Sequence, residues 1–262
     1  MDFSNRYILG FSLALCLICA TAVSALHESV VEKQKANAIL DKQINILRVA
    51  GLLDSETTPS QSEVDVMFED VDAKVINQAT GDTLHDQNPW QYNALKAAKA
   101  STSGVDASEL PSGPRALAKQ IQVKRLPKSL IVYEVQKPGK ECLVLPIWGN
   151  GLWSLLQGFV AIDLSGNRVI GITFFSHKET AGLGGEIDNP EWKAQWPGKI
   201  LFKDGAVAAT VVKKGAVKDP TIQVDGIAGA TITSLAVGRS VHLWLGESGY
   251  GPFLNKLQEV TP

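Results

Sequence analysis

The longest apolar stretch lies close to the start of the chain. Tyr7 to Leu26, YILGFSLALCLICATAVSAL, is a run of 20 residues without a charge. A bilayer-spanning helix needs roughly 20 such residues, so residues 1–26 are expected to form a transmembrane anchor. A cleaved signal peptide is the alternative, because Val23-Ser24-Ala25 resembles a small-residue cleavage site. The run is long for a signal peptide and the segment before it is barely basic, which favours a retained anchor. From Glu28 to Ala50 apolar residues return at Val31, Ala38, Ile39, Ile46 and Val49 with helical spacing, and Gly51 is a plausible stop. Residues 54–62 are polar and turn-rich and read as a loop. Ser62 to Ile76 is expected to form another helix, with Glu63 and Asp65 in an acidic first turn. Residues 77–128 have little periodicity, and ASTSGVDASELPSGPRA within them reads as a loop.

The pattern changes at Ser129. SLIVYEV, CLVLPIW, LQGFVAIDL, RVIGITFFSH and AVAATVVKK are short apolar or alternating runs, punctuated by Pro-Gly, Gly-Asn-Gly, Ser-Gly-Asn and Asp-Gly. That is the chemistry of strands and turns. Ile232 to Leu245 then has helical character, with Ile232, Leu235, Val237, Val241, Trp244 and Leu245 on one side. The expected class is α+β: an N-terminal transmembrane helix, then an extracytoplasmic domain with a mostly antiparallel sheet and flanking helices. The expected division is an anchor over 1–26, a helical and irregular segment over 27–128, and a ligand-binding domain over 129–262.

Composition narrows the function. The chain has 262 residues and a formal net charge of -2, so it lacks the basic footprint of a nucleic-acid-binding protein. Cys16 and Cys19 fall inside the apolar run, where their C-x-x-C spacing has no second ligand pair. Cys142 opens a strand-like run and reads as a buried small hydrophobe. His27, His85, His177 and His242 are scattered, without metal-ligand spacing, and read as surface or capping residues. No metal site and no catalytic acid, base or nucleophile is expected.

Two segments can carry chemistry. In Asp225-Gly226-Ile227-Ala228-Gly229-Ala230-Thr231-Ile232-Thr233-Ser234 a glycine-containing turn leads into the helix. Glycines allow close backbone approach to a ligand. The first N–H groups of a helix lack internal partners and, with the helix dipole, favour an anion, above all a phosphate. From spacing alone a threonine at that place is more simply explained as an ordinary N-cap. In Glu179-Thr180-Ala181-Gly182-Leu183-Gly184-Gly185-Glu186 three glycines in four positions make a tight or flexible loop after a strand. It has neither the G-x-G-x-x-G spacing of a dinucleotide site nor the lysine of a P-loop.

The order of these segments, an N-terminal span, ETAGLGGEI, then DGIAGATITS before a helix, resembles the covalent FMN-binding subunit of the sodium-translocating NADH:quinone oxidoreductase. The resemblance covers essentially the whole chain, including Gly149-Asn150-Gly151-Leu152-Trp153-Ser154. It implies an FMN joined through its phosphate to a threonine by a dedicated flavin transferase, which reads Asp, two residues, Ser or Thr, then Gly-Ala-Thr. Asp225, Gly229, Ala230 and Thr231 match that pattern. Ala228 departs from it, since the family usually has a hydroxyl there. Thr231 is then the acceptor, with Thr233 as competitor. By analogy Thr180, Gly182, Leu183, Gly184 and Trp153 would lie near the isoalloxazine ring, with Leu183 and Trp153 covering it. The resemblance further implies an electron-carrying subunit of the inner membrane, single-pass, with its large domain in the periplasm. Its partners would be the other membrane, flavin and iron–sulfur subunits of the complex, and it would pass electrons toward ubiquinone as the complex exports sodium. The flavin subunit of an ion-pumping ferredoxin:NAD complex is an alternative, and a secreted binding domain without cofactor is one from another class.

Overall fold

The computed structural model describes residues 4–54 and 57–260. Residues 1–3 of the expected anchor, Ser55 and Glu56 of the expected loop, and the last two residues of the expected 129–262 domain lie outside it. The chain divides into two compact units, residues 1–42 and 43–262. The first is formed by the greater part of helix α1 (Asn5–Val49). Within it Asn5–Glu28, with a mean hydropathy of 2.3, is long and apolar enough to cross a membrane. The Thr21 hydroxyl donates to the Leu17 carbonyl at 2.8 Å, so this polar group is satisfied by its own helix.

The second unit begins with the last turns of α1. Ile44, Ile46, Leu47, Val49 and Ala50 are buried. Gly51, at φ +69°, ends the helix, with Leu52 N–H on the Leu47 carbonyl at 2.9 Å. A left-handed glycine closing the last carbonyls is a common helix stop. Helix α2 (Gln61–Phe68) starts on a capping box made by Ser60 and Glu63. The helix expected over 62–76 therefore stops at Phe68, and Val71–Asn77 is strand β1. Val71, Ala73 and Val75 of that strand are buried in alternation with Asp72 and Lys74, a period of two rather than 3.6. Strand β2 (Thr83–Leu84), helix α3 (Ala94–Lys99) and strand β3 (Gly104–Asp106) follow, then helix α4 (Ser112–Gln120) and strand β4 (Arg125–Pro127). The stretch read as a loop over 100–116 thus holds β3, a 3₁₀ turn and the start of α4.

Strands β5 (Ser129–Val135), β6 (Cys142–Asn150), β7 (Leu155–Ile162) and β8 (Val169–Ser176) come next. They complete a six-stranded sheet of order β2-β1-β5-β6-β7-β8 in which every pairing is antiparallel. β1 pairs with β5 over their full length, Val71 opposite Val135 and Asn77 opposite Ser129. Helix α5 (Pro190–Lys193), an antiparallel pair β9 (Phe202–Lys203) and β10 (Ala206–Val207), and a parallel pair β11 (Thr210–Val212) and β12 (Gln223–Asp225) lead to helices α6 (Thr231–Leu245) and α7 (Gly251–Val260).

The central strands are buried on both faces. One face carries a chain of aromatic contacts, Trp90 to Tyr133 and Tyr133 to Phe159, each at 6.1 Å between ring centres, then Phe159 to Phe175 at 4.8 Å. α6 packs against β6, where the Trp244 ring meets that of Trp148 at a tilt of 38°, with ring centres 3.6 Å apart. Pro146 sits in β6 beyond Val144, where pairing with β5 has ended, and stays opposite Phe159 of β7. Cys142 is fully buried, as the sequence suggests, and burial pushes its thiol up to about 12. One residue of the expected apolar side of α6 is not in the core: Ile232 is 55% exposed, because it lies in the first turn, beyond the sheet.

Candidate functional site

The N-cap of α6 is Ala230, and no side chain caps the helix. Thr231 is therefore the first helical residue and not the N-cap that its sequence context allows. Ser234 holds the turn instead. Its hydroxyl donates to the Ala230 carbonyl at 2.8 Å and accepts from Ile227 N–H at 2.9 Å. The preceding Gly229 has φ +73°, a conformation that a side chain would strain. The bond from Ser234 N–H to the Ala230 carbonyl, at 3.0 Å, is the first of the helix. The N–H groups of Thr231, Ile232 and Thr233 precede it and face the space before the helix, at the positive end of its dipole.

The two threonines have opposite surroundings. Thr231 is exposed. Thr233 is 1% exposed, and its hydroxyl donates to Glu179 Oε2 at 2.7 Å. Glu179 is itself buried. Its Oε1 accepts from the N–H groups of Trp153 and Ser154, both at 3.0 Å, and from the Ser154 hydroxyl at 3.1 Å. Its Oε2 also accepts from Leu152 N–H at 3.3 Å. Burial alone would raise this carboxyl. The bonds from Thr233, Trp153 and Ser154 outweigh it and hold the group below the ordinary glutamate range. Two glycines make room for it. A Cβ at Gly151 would stand 2.8 Å from Oε1, and one at Gly184 would stand 2.7 Å from Oε2 and 2.9 Å from the Thr233 hydroxyl. His177, expected as a surface or capping residue, holds the main chain of the same glutamate. Its Nδ1 accepts from Glu179 N–H at 3.2 Å and its Nε2 pairs with Asp188 at 2.6 Å. His242 is not a surface residue either: it is half-buried, and burial lowers its pKa.

In front of α6 opens a cleft of about 290 Å³ lined by Leu152, Trp153, Glu179, Thr180, Leu183, Gly184 and residues 229–233. It gathers Trp153, Thr180, Leu183, Gly184, Gly229, Ala230 and Thr231 from three separate parts of the chain. Leu152, Trp153, Leu183 and Ile232 are 47%, 71%, 44% and 55% exposed, an unusual density of bare apolar groups around one opening. Asp225 and Gly182 are not among its lining residues. The Asp225 carboxylate binds Lys214 Nζ at 2.7 Å and accepts from Gly215 N–H at 2.6 Å, and Lys214 holds its pKa down. The backbone donors of the glycine loop are partly spent. Gly182 N–H donates to Glu186 Oε1 at 3.2 Å, while Leu183 and Gly185 N–H both close on the Thr180 carbonyl, at 3.1 and 2.9 Å. Sequence reasoning does not find Glu179, Leu152, Ile232 or the inward role of Thr233; a single glutamate ahead of glycines gives no sign that it will be buried.

The site and the last two strands of the sheet, β7 and β8, fall within residues 151–246, which match the family described as FMN-binding domain. The family match and the cleft thus define a flavin-binding module, carried on a chain that has, among the described residues, one membrane-length helix. The C subunit of the Na(+)-translocating NADH-quinone reductase from Pseudomonas aeruginosa is 40% identical, over 98% of this chain and 97% of its own length. The protein of the same name from Vibrio vulnificus is 38% identical, over 98% of this chain and 96% of its own length. The crystal structure of Shewanella oneidensis NqrC superposes with a TM-score of 0.74 at 28% identity, covering 86% of this chain and 99% of that one. The corresponding reductase subunit from Parabacteroides distasonis gives a TM-score of 0.64 at 27% identity, covering 86% and 95%. The chain belongs to the NqrC family, the C subunits of the Na(+)-translocating NADH-quinone reductase, which selects the first of the readings drawn from the sequence.

Proposed function

We propose that this chain carries electrons within its complex through an FMN esterified to Thr231, passing them toward ubiquinone while the complex exports sodium. The observation that carries the reading is the contrast between the two candidate acceptors. The Thr231 hydroxyl is exposed at the mouth of the cleft, whereas the Thr233 hydroxyl is buried and bonded to Glu179. The residues present fit the group. The uncapped start of α6 suits a phosphate diester, whose single negative charge its free N–H groups can satisfy. Trp153, Leu152, Leu183 and Ile232 offer apolar surface to a flat ring, and Thr180 a hydroxyl. FMN supplies the redox chemistry when bound; the protein fixes its place and surroundings.

A flavin transferase would recognise Asp225 together with Gly229, Ala230 and Thr231. Asp225 acts there from outside the cleft, held by Lys214 and Gly215. Mass spectrometry of the tryptic peptide ending at Arg239, from chain co-expressed with the transferase, tests the attachment. The expected result is one FMN per peptide, with fragment ions placing it on Thr231. A peptide modified at Thr233, or unmodified under full loading, would overturn it.

The anchor is part of the same proposal. The Asn5–Glu28 helix holds the chain in the inner membrane, with the flavin domain in the periplasm among the other membrane, flavin and iron–sulfur subunits. The mature chain is expected to keep its N-terminal segment and to resist high-salt washing, since a spanning helix binds membrane far more tightly than a surface patch. An N-terminus found at Leu26 would mean that the segment is a cleaved signal.

A further inference from the structure

We infer that Glu179 is the positioning residue of the flavin site, locking the two walls of the cleft together and fixing which threonine faces the cofactor. The inference rests on attachment at Thr231 and extends it to a residue outside the attachment motif. The walls come from distant parts of the chain. One is the turn that bears Leu152 and Trp153, the other the first turn of α6. Glu179 is the polar link between them. Its Oε1 takes Trp153 N–H, Ser154 N–H and the Ser154 hydroxyl, while its Oε2 takes Leu152 N–H and the Thr233 hydroxyl.

The geometry has a rotational consequence. Successive residues of an α-helix are turned by about 100°, so residues two apart point to nearly opposite sides. Pinning Thr233 inward on Glu179 therefore turns Thr231 outward, to the exposed mouth of the cleft. The same carboxylate fixes the main chain of Trp153, whose side chain is 71% exposed at the rim. Only an ionised carboxyl can accept all these bonds, because both of its oxygens are acceptors. A glutamine would turn its NH₂ group toward main-chain N–H donors in either orientation, those of Trp153 and Ser154 on one side or that of Leu152 on the other, and in the second it would also reverse the bond with Thr233. The close fits at Gly151 and Gly184 leave no space for the side chain to rearrange.

The test uses the full chain, co-expressed with the flavin transferase and purified in detergent, as wild type, Glu179→Gln, Thr233→Val and Thr233→Ser. Three quantities are read: the flavin content of the Thr231 peptide, the quenching of bound-flavin fluorescence by iodide, and the exchange rates of the amides of residues 152–154. In Glu179→Gln the amide exchange should rise about tenfold for each charge-assisted bond lost, and the flavin should become clearly more accessible to iodide. Thr233→Val, which keeps the volume and loses the hydroxyl, should give the same change in flavin accessibility. Thr233→Ser, which keeps the hydroxyl, should restore wild-type behaviour. That rescue and the quenching signature separate positioning of the cofactor from a general loss of stability. Glu179→Gln or Thr233→Val with wild-type flavin accessibility at full loading would overturn the inference while leaving attachment at Thr231 intact. If Glu179→Gln yields no folded protein, the pair Thr233→Val and Thr233→Ser decides alone. Wild-type chain without flavin on the Thr231 peptide would overturn the attachment itself, and this inference with it.

Discussion

Thr231→Ala is expected to remove covalent flavin completely while the domain stays folded. On the proposed attachment the loss is total, because the hydroxyl is the atom to be esterified and the competing acceptor, Thr233, is buried and committed to Glu179. The cost in stability is small. Thr231 is exposed, donates no cap and occupies the first helical position. Exposed substitutions of this kind stay within about 0.5 kcal/mol, and alanine favours a helix more than threonine does. Denaturing gels viewed for flavin fluorescence, beside thermal unfolding of the same samples, measure both halves. The expected outcome is a dark band at the correct size and a Tm within about 2 °C of the unloaded wild type. A bright band from Thr231→Ala, lost in Thr233→Ala, would reverse the assignment.

Gly184→Val should be the most damaging single change in the glycine loop. A valine adds a branched side chain whose Cβ alone would lie 2.7 Å from Glu179 Oε2, 2.9 Å from the Thr233 hydroxyl and 3.0 Å from Glu179 Cβ. None of these can move cheaply. Glu179 is buried and held by the 152–154 turn, and Thr233 belongs to the helix. Overpacking together with a broken charge-assisted bond costs about 3 kcal/mol. At about 3 °C per kcal/mol for a domain of this size, the Tm should fall by about 10 °C. Gly182→Ala is the control: its Cβ would meet nothing within 4 Å, but φ is +74°, so the cost is backbone strain of about 1 kcal/mol. Differential scanning calorimetry of the two unloaded variants compares them. Equal, small shifts would show that the 179–186 loop is held by something other than the Glu179–Thr233 bond.

The sheet is legible in the sequence where apolar runs are bounded by turn residues. SLIVYEV is β5 from end to end, and the runs for β6, β7 and β8 lie within two residues of the observed strands. β1 is hidden because Asp72 and Lys74 break up its apolar positions, so that Val71, Ala73 and Val75 join more easily to the helix ahead of them. α4 is hidden by Ser112, Gly113 and Pro114, which read as a loop yet sit in a first turn, where proline loses little. At the site, the threonine and its glycine turn can be read because glycines and helix starts have local signatures. Glu179 cannot. Its burial follows from two glycines in different segments and from donors brought in by separate parts of the fold, none of which is a local property of the chain.

The buried thiol of Cys142 has a bearing on chemical durability. With its pKa pushed up to about 12, only about one molecule in 10⁵ carries a thiolate at pH 7. Peroxide oxidation and disulfide exchange both proceed through the thiolate, and the side chain is also sealed from solvent. Among the described residues the other two cysteines lie on the apolar helix, within the span long enough to cross a membrane. The flavin-binding domain therefore offers oxidants no reactive sulfhydryl and needs no oxidative folding step.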